Sequence, residues 1–377
     1  MKKFLLLIAM LSPALTFAQN KKTGPKTFDL IVGTYTTGKS KGIAVYRFYA
    51  ETGKLAYLSE IDGVTNPSYL TLSANNKFVY AVNELPKGEV SSFSFEAKTG
   101  KLTFINKQST LGADPCYVAV DKDQKNLLIA NYSSGNVAVM PLNKDGSIVN
   151  GIETEQNPGH SVNKERQESA HAHMAIFSPD EKYVFYNDLG TDKINIYKYH
   201  PNKEPRLVAA SPAFVSVAAG EGPRHLEFSA DKKTAYLVTE MGSNVIVFDY
   251  KNGQLKQKQS ITMLPDGFSG QTAGAAIHLS PDGKFLYASN RLETNEINIY
   301  SVNQETGLLT FVARQSTFGK NPRDFAIDPT GRFLIVANQG SDNMWVFKID
   351  QTTGKLNQTG IRVEIGNPVC LKFAPAE

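Results

Sequence analysis

Residues 221–240 read EGPRHLEFSADKKTAYLVTE, and this stretch decides the fold. Leu226 and Phe228 alternate with polar neighbours over 224–228, a short continuous apolar run fills 235–238, and a mostly polar stretch at 229–233 lies between them. That pattern predicts a strand, a tight turn and a returning strand. Arg224 and Glu240 stand at the two open ends, and Lys232 is their midpoint. In an antiparallel hairpin, residues equidistant from the turn lie opposite each other, so Arg224 and Glu240 are expected to face one another.

The same hairpin recurs along the chain. Its copies are NPSYLTLSANNKFVYAVNE from Asn66, DPCYVAVDKDQKNLLIANY from Asp114 and HAHMAIFSPDEKYVFYNDL from His171. They continue with GPRHLEFSADKKTAYLVTE from Gly222, AGAAIHLSPDGKFLYASNR from Ala273 and NPRDFAIDPTGRFLIVANQ from Asn321. A seventh, NPVCLKFAPAE from Asn367, holds one strand only. Anchored on Ser73, Asp121, Ser178, Ser229, Ser280, Asp328 and Ala374, the copies are spaced by 48, 57, 51, 51, 48 and 46 residues. Further strands follow the hairpins, as at residues 195–199, 244–250 and 307–315. Four strands in each such unit are the signature of a β-propeller blade.

The two ends of the chain complete the count. Residues 29–35, 42–49 and 54–61 read as three strands that lack an inner strand of their own. The C-terminal copy supplies it, which leaves no blade with an open edge. The expected fold is all-β: a seven-bladed β-propeller of four-stranded blades, the N- and C-terminal strands sharing one blade. It forms a single domain over residues 29–377. The longest spacing contains a polar insertion at 151–169 that leads directly into His171.

Residues 1–18 read as a signal peptide. Lys2 and Lys3 precede an apolar run over 4–11, and Thr16-Phe17-Ala18 ends on a small residue. The run is too short to span a membrane. The mature protein is therefore expected in the periplasm or secreted, free of the membrane, with residues 19–28 as a short polar lead-in. Loss of Lys2 and Lys3 takes the formal charge from +4 to +2, which gives no case for a nucleic-acid partner. The two cysteines, Cys116 and Cys370, form no CxxC pair or zinc-spaced cluster and read as isolated buried residues. Oligomeric state is not specified by any of these features.

On this constant frame two sets of positions vary. Five residues before each anchor stand Ser68, Cys116, His173, Arg224, Ala275, Arg323 and Val369; eleven after it stand Glu84, Tyr132, Leu189, Glu240, Arg291 and Gln339. Both sets belong at one face of the ring, near the mouth of the channel. Polar groups converging on a concave mouth mark a ligand site. Each has a plainer alternative. Arg224 and Glu240 can be a cross-strand ion pair worth about 0.2–1 kcal/mol. Arg291 and Arg323 can be solvated rim charges, His171 a loop cap, and His173 the partner of a backbone carbonyl. His200, His225 and His278 read as structural, and Asp180, Asp282 and Asp328 as turn residues.

The segments HAHMAIFSPDEKYVFYNDLG, GEGPRHLEFSADKKTAYLVTE, YASNR and GKNPRDFAIDPTGRFLIVANQ together resemble the lactonase family of seven-bladed propellers. That family includes bacterial 6-phosphogluconolactonase and fungal carboxy-muconate lactonizing enzyme. The resemblance implies a catalytic His, Arg, Glu and second Arg. By motif these fall on His173 (with His171 as second choice), Arg224, Glu240 and Arg291. Arg323, His171 and Glu84, at the same rim, are expected to contact the substrate. No metal and no cofactor are implied. One departure is the leader, since the bacterial phosphogluconolactonase is cytoplasmic.

Opening a lactone needs a base to activate water, donors for the oxyanion and a proton for the leaving alkoxide. His, Glu and several Arg supply these parts, with either His173 or Glu240 as base. A GxSxG nucleophile elbow, a phosphate loop and a dinucleotide fingerprint are all lacking. The expectation is an exported hydrolase of a sugar-acid lactone, with phosphorylated substrates disfavoured by export. A muconate-type cycloisomerase is the catalytic alternative. A non-catalytic propeller binding a ligand or protein at the same mouth is the other.

Overall fold

The computed structural model describes residues 27–149 and 153–376. The leader read at 1–18, and the lead-in as far as residue 26, lie outside the described residues. Seven four-stranded antiparallel sheets form the chain, each made of consecutive strands except one. In the exception, the C-terminal strand Pro368–Pro375 pairs with the N-terminal strand Thr27–Thr34, from Phe28 opposite Pro375 to Gly33 opposite Cys370. Gly42–Tyr49 and Lys54–Asp62 complete that blade, numbered 7 here; blades 1 to 6 follow the hairpin copies in chain order. The expected closure is therefore observed. The 3-10 turn Gln339–Ser341 is the one helical element among the described residues.

Blade 4 shows why the repeat folds this way. Its strands are Pro223–Phe228, Thr234–Thr239, Asn244–Lys251 and Gln254–Thr262. The first turn is closed by its own side chains: Ser229 Oγ donates to Asp231 Oδ1 at 2.6 Å, and Asp231 accepts from the Lys233 N–H at 3.1 Å. Ser178 with Asp180 and Ser280 with Asp282 repeat this turn, and Asp328 accepts from the Phe333 N–H, as expected of turn residues. The outer turn needs glycine. Gly253 has φ +79°, and a Cβ there would collide with the Tyr183 ring of blade 3.

Neighbouring blades pack face to face through aromatic side chains. Phe185 of blade 3 meets Phe228 and Tyr250 of blade 4 edge-on, with centroids 5.4 and 5.8 Å apart. Phe48 of blade 7 meets Phe333 of blade 6 at 5.9 Å, so the closing blade is sealed to its neighbour in the same way. Phe48 and Phe185 are fully buried, and each such ring contributes about 1.5–3 kcal/mol.

The inner hairpins depart from the expected register in one respect that matters for the site. Pro223 pairs with Thr239 and His225 with Val238, so Arg224 is the extra residue of a β-bulge. Glu240 gives its backbone N–H to the Gly222 carbonyl at 2.8 Å. Arg224 and Glu240 are therefore not directly opposed, as counting from Lys232 predicts. The bulge recurs at Cys116, His173, Arg323 and Val369, and at Ala275–Ala276. A bulge bends the strand and re-aims the extra side chain. At five of these copies that residue is the one standing five before the anchor, and at Ala275–Ala276 it is included in a wider bulge.

Candidate functional site

Glu240 is the centre of the cluster. Its Oε2 receives Arg224 Nε at 3.0 Å and Arg291 Nη2 at 2.9 Å, and lies 3.7 Å from His173 Nε2. Its Oε1 receives Arg166 Nη2 at 2.7 Å. Burial alone would push this carboxyl up, but Arg291 and Arg224, with His173 and Arg166, hold it well below the usual carboxylate range. The four expected residues, His173, Arg224, Glu240 and Arg291, are thus brought together from blades 3, 4 and 5.

The bulge at Arg224 is supported from behind. Asn187 of blade 3 donates to the Arg224 carbonyl at 3.0 Å, which satisfies a backbone group that the bulge takes out of the ladder. The guanidinium donates Nη1 to the Ala275 carbonyl of blade 5. Arg291 is fixed by the Ala273 and Gly274 carbonyls, both at 3.3 Å. Nη2 of Arg224 and Nη1 of Arg291 hydrogen-bond no described residue. Burial, with Arg291 and Arg323 nearby, lowers Arg224 to about 10, so it stays cationic at neutral pH. Arg224 and Glu240 are both buried. Glu240 is also shared with Arg291 and Arg166, so this is not the isolated cross-strand pair worth about 0.2–1 kcal/mol. Removing one partner of a buried pair costs about 3–5 kcal/mol.

The two histidines occupy different environments. His173 is buried, and burial followed by Arg224 pushes its imidazole well below the usual value, against the pull of Glu240. The ring is neutral at neutral pH. Cys116 of blade 2 lies 3.8 Å from Nδ1 and donates Sγ–H to the His173 carbonyl at 3.4 Å. Burial pushes the Cys116 thiol up, so it remains protonated. His171 instead stacks on Tyr132, with centroids 4.7 Å apart. Its ring nitrogens meet the Tyr132 carbonyl at 3.1 Å and Glu168 at 3.0 Å. It belongs to the wall of the mouth and does not reach Glu240.

Arg323 and Glu84 form a second flank. Arg323 lies over the Tyr35 ring, 5.5 Å from its centroid, and has no hydrogen bond or ion pair with any described residue. The Tyr35 hydroxyl donates to both Glu84 oxygens, at 2.8 and 2.9 Å. Glu84 thus adjoins the cluster through Tyr35 and does not join the carboxylate–guanidinium group. Across the whole mouth four guanidinium groups outnumber the carboxylates of Glu240, Glu84 and the rim residue Glu168, so the site favours an anionic or electron-rich ligand.

His225, with Tyr69 and Tyr117, closes the channel below. The two tyrosines stack at 4.2 Å, and His225 stands edge-on to both at 5.9 and 5.5 Å, from the far side of the ring. Deeper still, His278 sits 3.0 Å from Glu227 and 3.5 Å from Asp324, linking three blades. Burial opposes its charging, yet hydrogen bonds donated by its ring to the Asp324 and Glu227 carboxylates raise it to about 9. His278 thus ties blades 4, 5 and 6 together, while His225 packs against the Arg224 guanidinium and the His173 ring. Cys370 is a free, buried thiol remote from Cys116 in sequence, as expected of isolated residues. Among the described residues, no group of three or more His, Cys, Asp and Glu is arranged to hold a metal ion.

Sequence reasoning missed Arg166, Tyr132 and Tyr35. Tyr132 stood in the second variable set, but nothing there distinguished it from its neighbours. Arg166 lies in the insertion and has no counterpart in other copies. The only available signal was a cation in a polar loop that leads into His171.

Residues 29–373 match the model of a family described as lactonase, 7-bladed β-propeller. A 6-phosphogluconolactonase of Bacillus subtilis is 38% identical over 348 residues, covering 91% of this chain and 97% of its own. A 6-phosphogluconolactonase of Formosa agariphila is 35% identical, covering 87% and 94%. Among solved structures, a periplasmic gluconolactonase of Pseudomonas aeruginosa is 40% identical with a TM-score of 0.90, covering 93% of this chain and 100% of its own. The chain belongs to the lactonase family of seven-bladed β-propellers.

Proposed function

We propose that this protein is an exported, metal-independent lactonase that hydrolyses a sugar-acid lactone at the mouth of the propeller channel. The observation that carries the proposal is a neutral His173 set 3.7 Å from a carboxylate that also holds the buried Arg224 and the partly buried Arg291.

His173 is the better base of the two candidates. Both oxygens of Glu240 are already taken by Arg224, Arg291 and Arg166, whereas the His173 ring, though burial lowers its basicity, is neutral with Nε2 facing the carboxylate that would stabilise its charged form. Water attacks the lactone carbonyl as its proton passes to His173 Nε2. The resulting imidazolium lies beside the Glu240 carboxylate, which stabilises it. The carbonyl oxygen becomes an oxyanion facing the unengaged Nη2 of Arg224 and Nη1 of Arg291. Collapse breaks the ring C–O bond, and the leaving alkoxide takes the proton back from His173. Arg323 receives a carboxylate, phosphate or hydroxyl of the substrate, and His171 and Glu84 line the sides of the pocket. A metal ion is disfavoured here because guanidinium groups surround the one central carboxylate. Export rests on the leader at residues 1–18. It agrees with the periplasmic name of the Pseudomonas relative, and it favours an unphosphorylated substrate.

Arg224→Ala and Glu240→Gln test the assignment. Each is expected to lower turnover by about 10²–10³, the usual loss when one donor to developing charge is removed. The double variant should be little worse than the poorer single one, as for residues that act as a unit. Because the pair is buried, melting curves must accompany each assay, run well below the transition. Folded variants that keep more than about a third of wild-type turnover, far above that expectation, remove the pair from the site.

A further inference from the structure

Glu240 is held unequally at its two oxygens. Oε2 is engaged by Arg224 and Arg291, whose side chains are 2% and 12% exposed. Oε1 is engaged by Arg166 alone, whose side chain is 46% exposed and also donates to the Tyr132 hydroxyl at 3.2 Å. The backbone beneath Arg166 is nonetheless fixed. Asn163 Oδ1 accepts from the N–H groups of Glu165 and Arg166, at 3.0 and 3.1 Å. Gln167, fully buried, donates its side chain to the Leu189 carbonyl at 2.9 Å. The insertion is therefore a built platform that presents one guanidinium at the boundary between site and solvent.

His173 is faced by Cys116 and Tyr132 from blade 2, by Arg224, His225 and Glu240 from blade 4, and by Arg323 from blade 6. Of these charged and titratable groups, Glu240 is the one that favours a proton on the ring. Of the three arginines on Glu240, only Arg166 lies where an arriving molecule meets it first. We propose that Arg166 is a positioning residue that substrate displaces. In the free protein it neutralises Oε1 and weakens the hold of Glu240 on a proton at His173 Nε2. The oxygens of a bound lactone draw the guanidinium off and leave the carboxylate to the histidine. The base is thereby strengthened only when substrate is present. This rests on His173 being the base of the proposed hydrolysis.

The test is the pH dependence of kcat/KM and of kcat for wild type, Arg166→Gln and Arg166→Lys, on whichever lactone the wild type hydrolyses fastest. The first parameter reports the free protein and the second the complex. In wild type the acid limb of kcat should lie at higher pH than that of kcat/KM. In Arg166→Gln the kcat/KM limb should move up by about one pH unit, the scale of losing a nearby charge. It should then meet a kcat limb that stays in place. Arg166→Lys keeps the charge and should restore part of the separation. Coincident limbs in wild type, or an Arg166→Gln variant in which both limbs or neither move, overturn the proposal while leaving the lactonase assignment standing. A wild-type protein that hydrolyses no lactone removes both.

Discussion

His173→Asn is expected to lower kcat by about 10²–10⁴, the usual contribution of a positioned general base. KM should change little, because the loss falls on proton transfer and not on substrate binding. The shorter amide side chain would still fill part of the pocket between Tyr132 and His225, whose rings stand 5.5 and 5.4 Å from the imidazole. His171→Asn is the matched control. His171 stacks on Tyr132 and is tied to Glu168, so its loss should loosen the wall and raise KM while sparing the base. Turnover measured at several pH values, beside melting curves, checks both. A folded His173→Asn protein within about tenfold of wild type, well short of that contribution, beside a much weaker His171→Asn protein, would exchange the roles of the two histidines.

Deleting residues 367–377 should abolish cooperative thermal unfolding. The strand Pro368–Pro375 is the inner strand of blade 7 and pairs along the length of Thr27–Thr34. It buries Val369, Cys370, Leu371 and Ala374, and the Leu371 N–H bonds to Asp324 of blade 6. Its removal exposes an unpaired inner edge and opens the ring between blades 6 and 1. Lys372, which donates to the Tyr69 hydroxyl across that seam, is lost with it. Calorimetry of the truncated chain reads the effect directly. A truncated protein that melts like the full one means the ring is closed by contacts other than this strand.

The fold was legible because the hairpin recurs with little change and because its copies leave three strands at one end and one at the other. Those are properties of order and spacing, which a sequence carries in full. The register at the inner strands was not legible. A bulge adds one residue to one strand without changing the alternation on either side of it, so counting from Lys232 sets Arg224 and Glu240 opposite each other. Their meeting was predicted correctly, for a reason that was incomplete: the bulge turns Arg224 inward, and Glu240 reaches it from the end of the next strand.

The candidate residues were legible to the extent that they occupy repeated positions. His173, Arg224 and Arg323 share one such position, and Glu84, Glu240 and Arg291 the other. Comparison of copies alone does not separate Arg291 from Arg323; the family resemblance points to Arg291 as the second arginine. In the structure Arg291 is bonded to Glu240, while Arg323 stands over Tyr35. Arg166 could not be found by comparing copies, since it lies in sequence that one blade alone possesses. Tyr35 escaped for a related reason. It follows a strand whose inner partner is more than three hundred residues away, so no local pattern places it beside Glu84.

The central claim is that this mouth opens a lactone without a metal. The direct measurement is a turnover panel on one extensively chelated preparation, corrected for spontaneous hydrolysis. It compares gluconolactone, its 6-phosphate and a muconolactone. Hydrolysis of a sugar-acid lactone well above the spontaneous rate is predicted, with the unphosphorylated substrate preferred and activity unchanged by chelation. Failure to accelerate any of the three, or activity lost to the chelator and restored by a divalent ion, would contradict it.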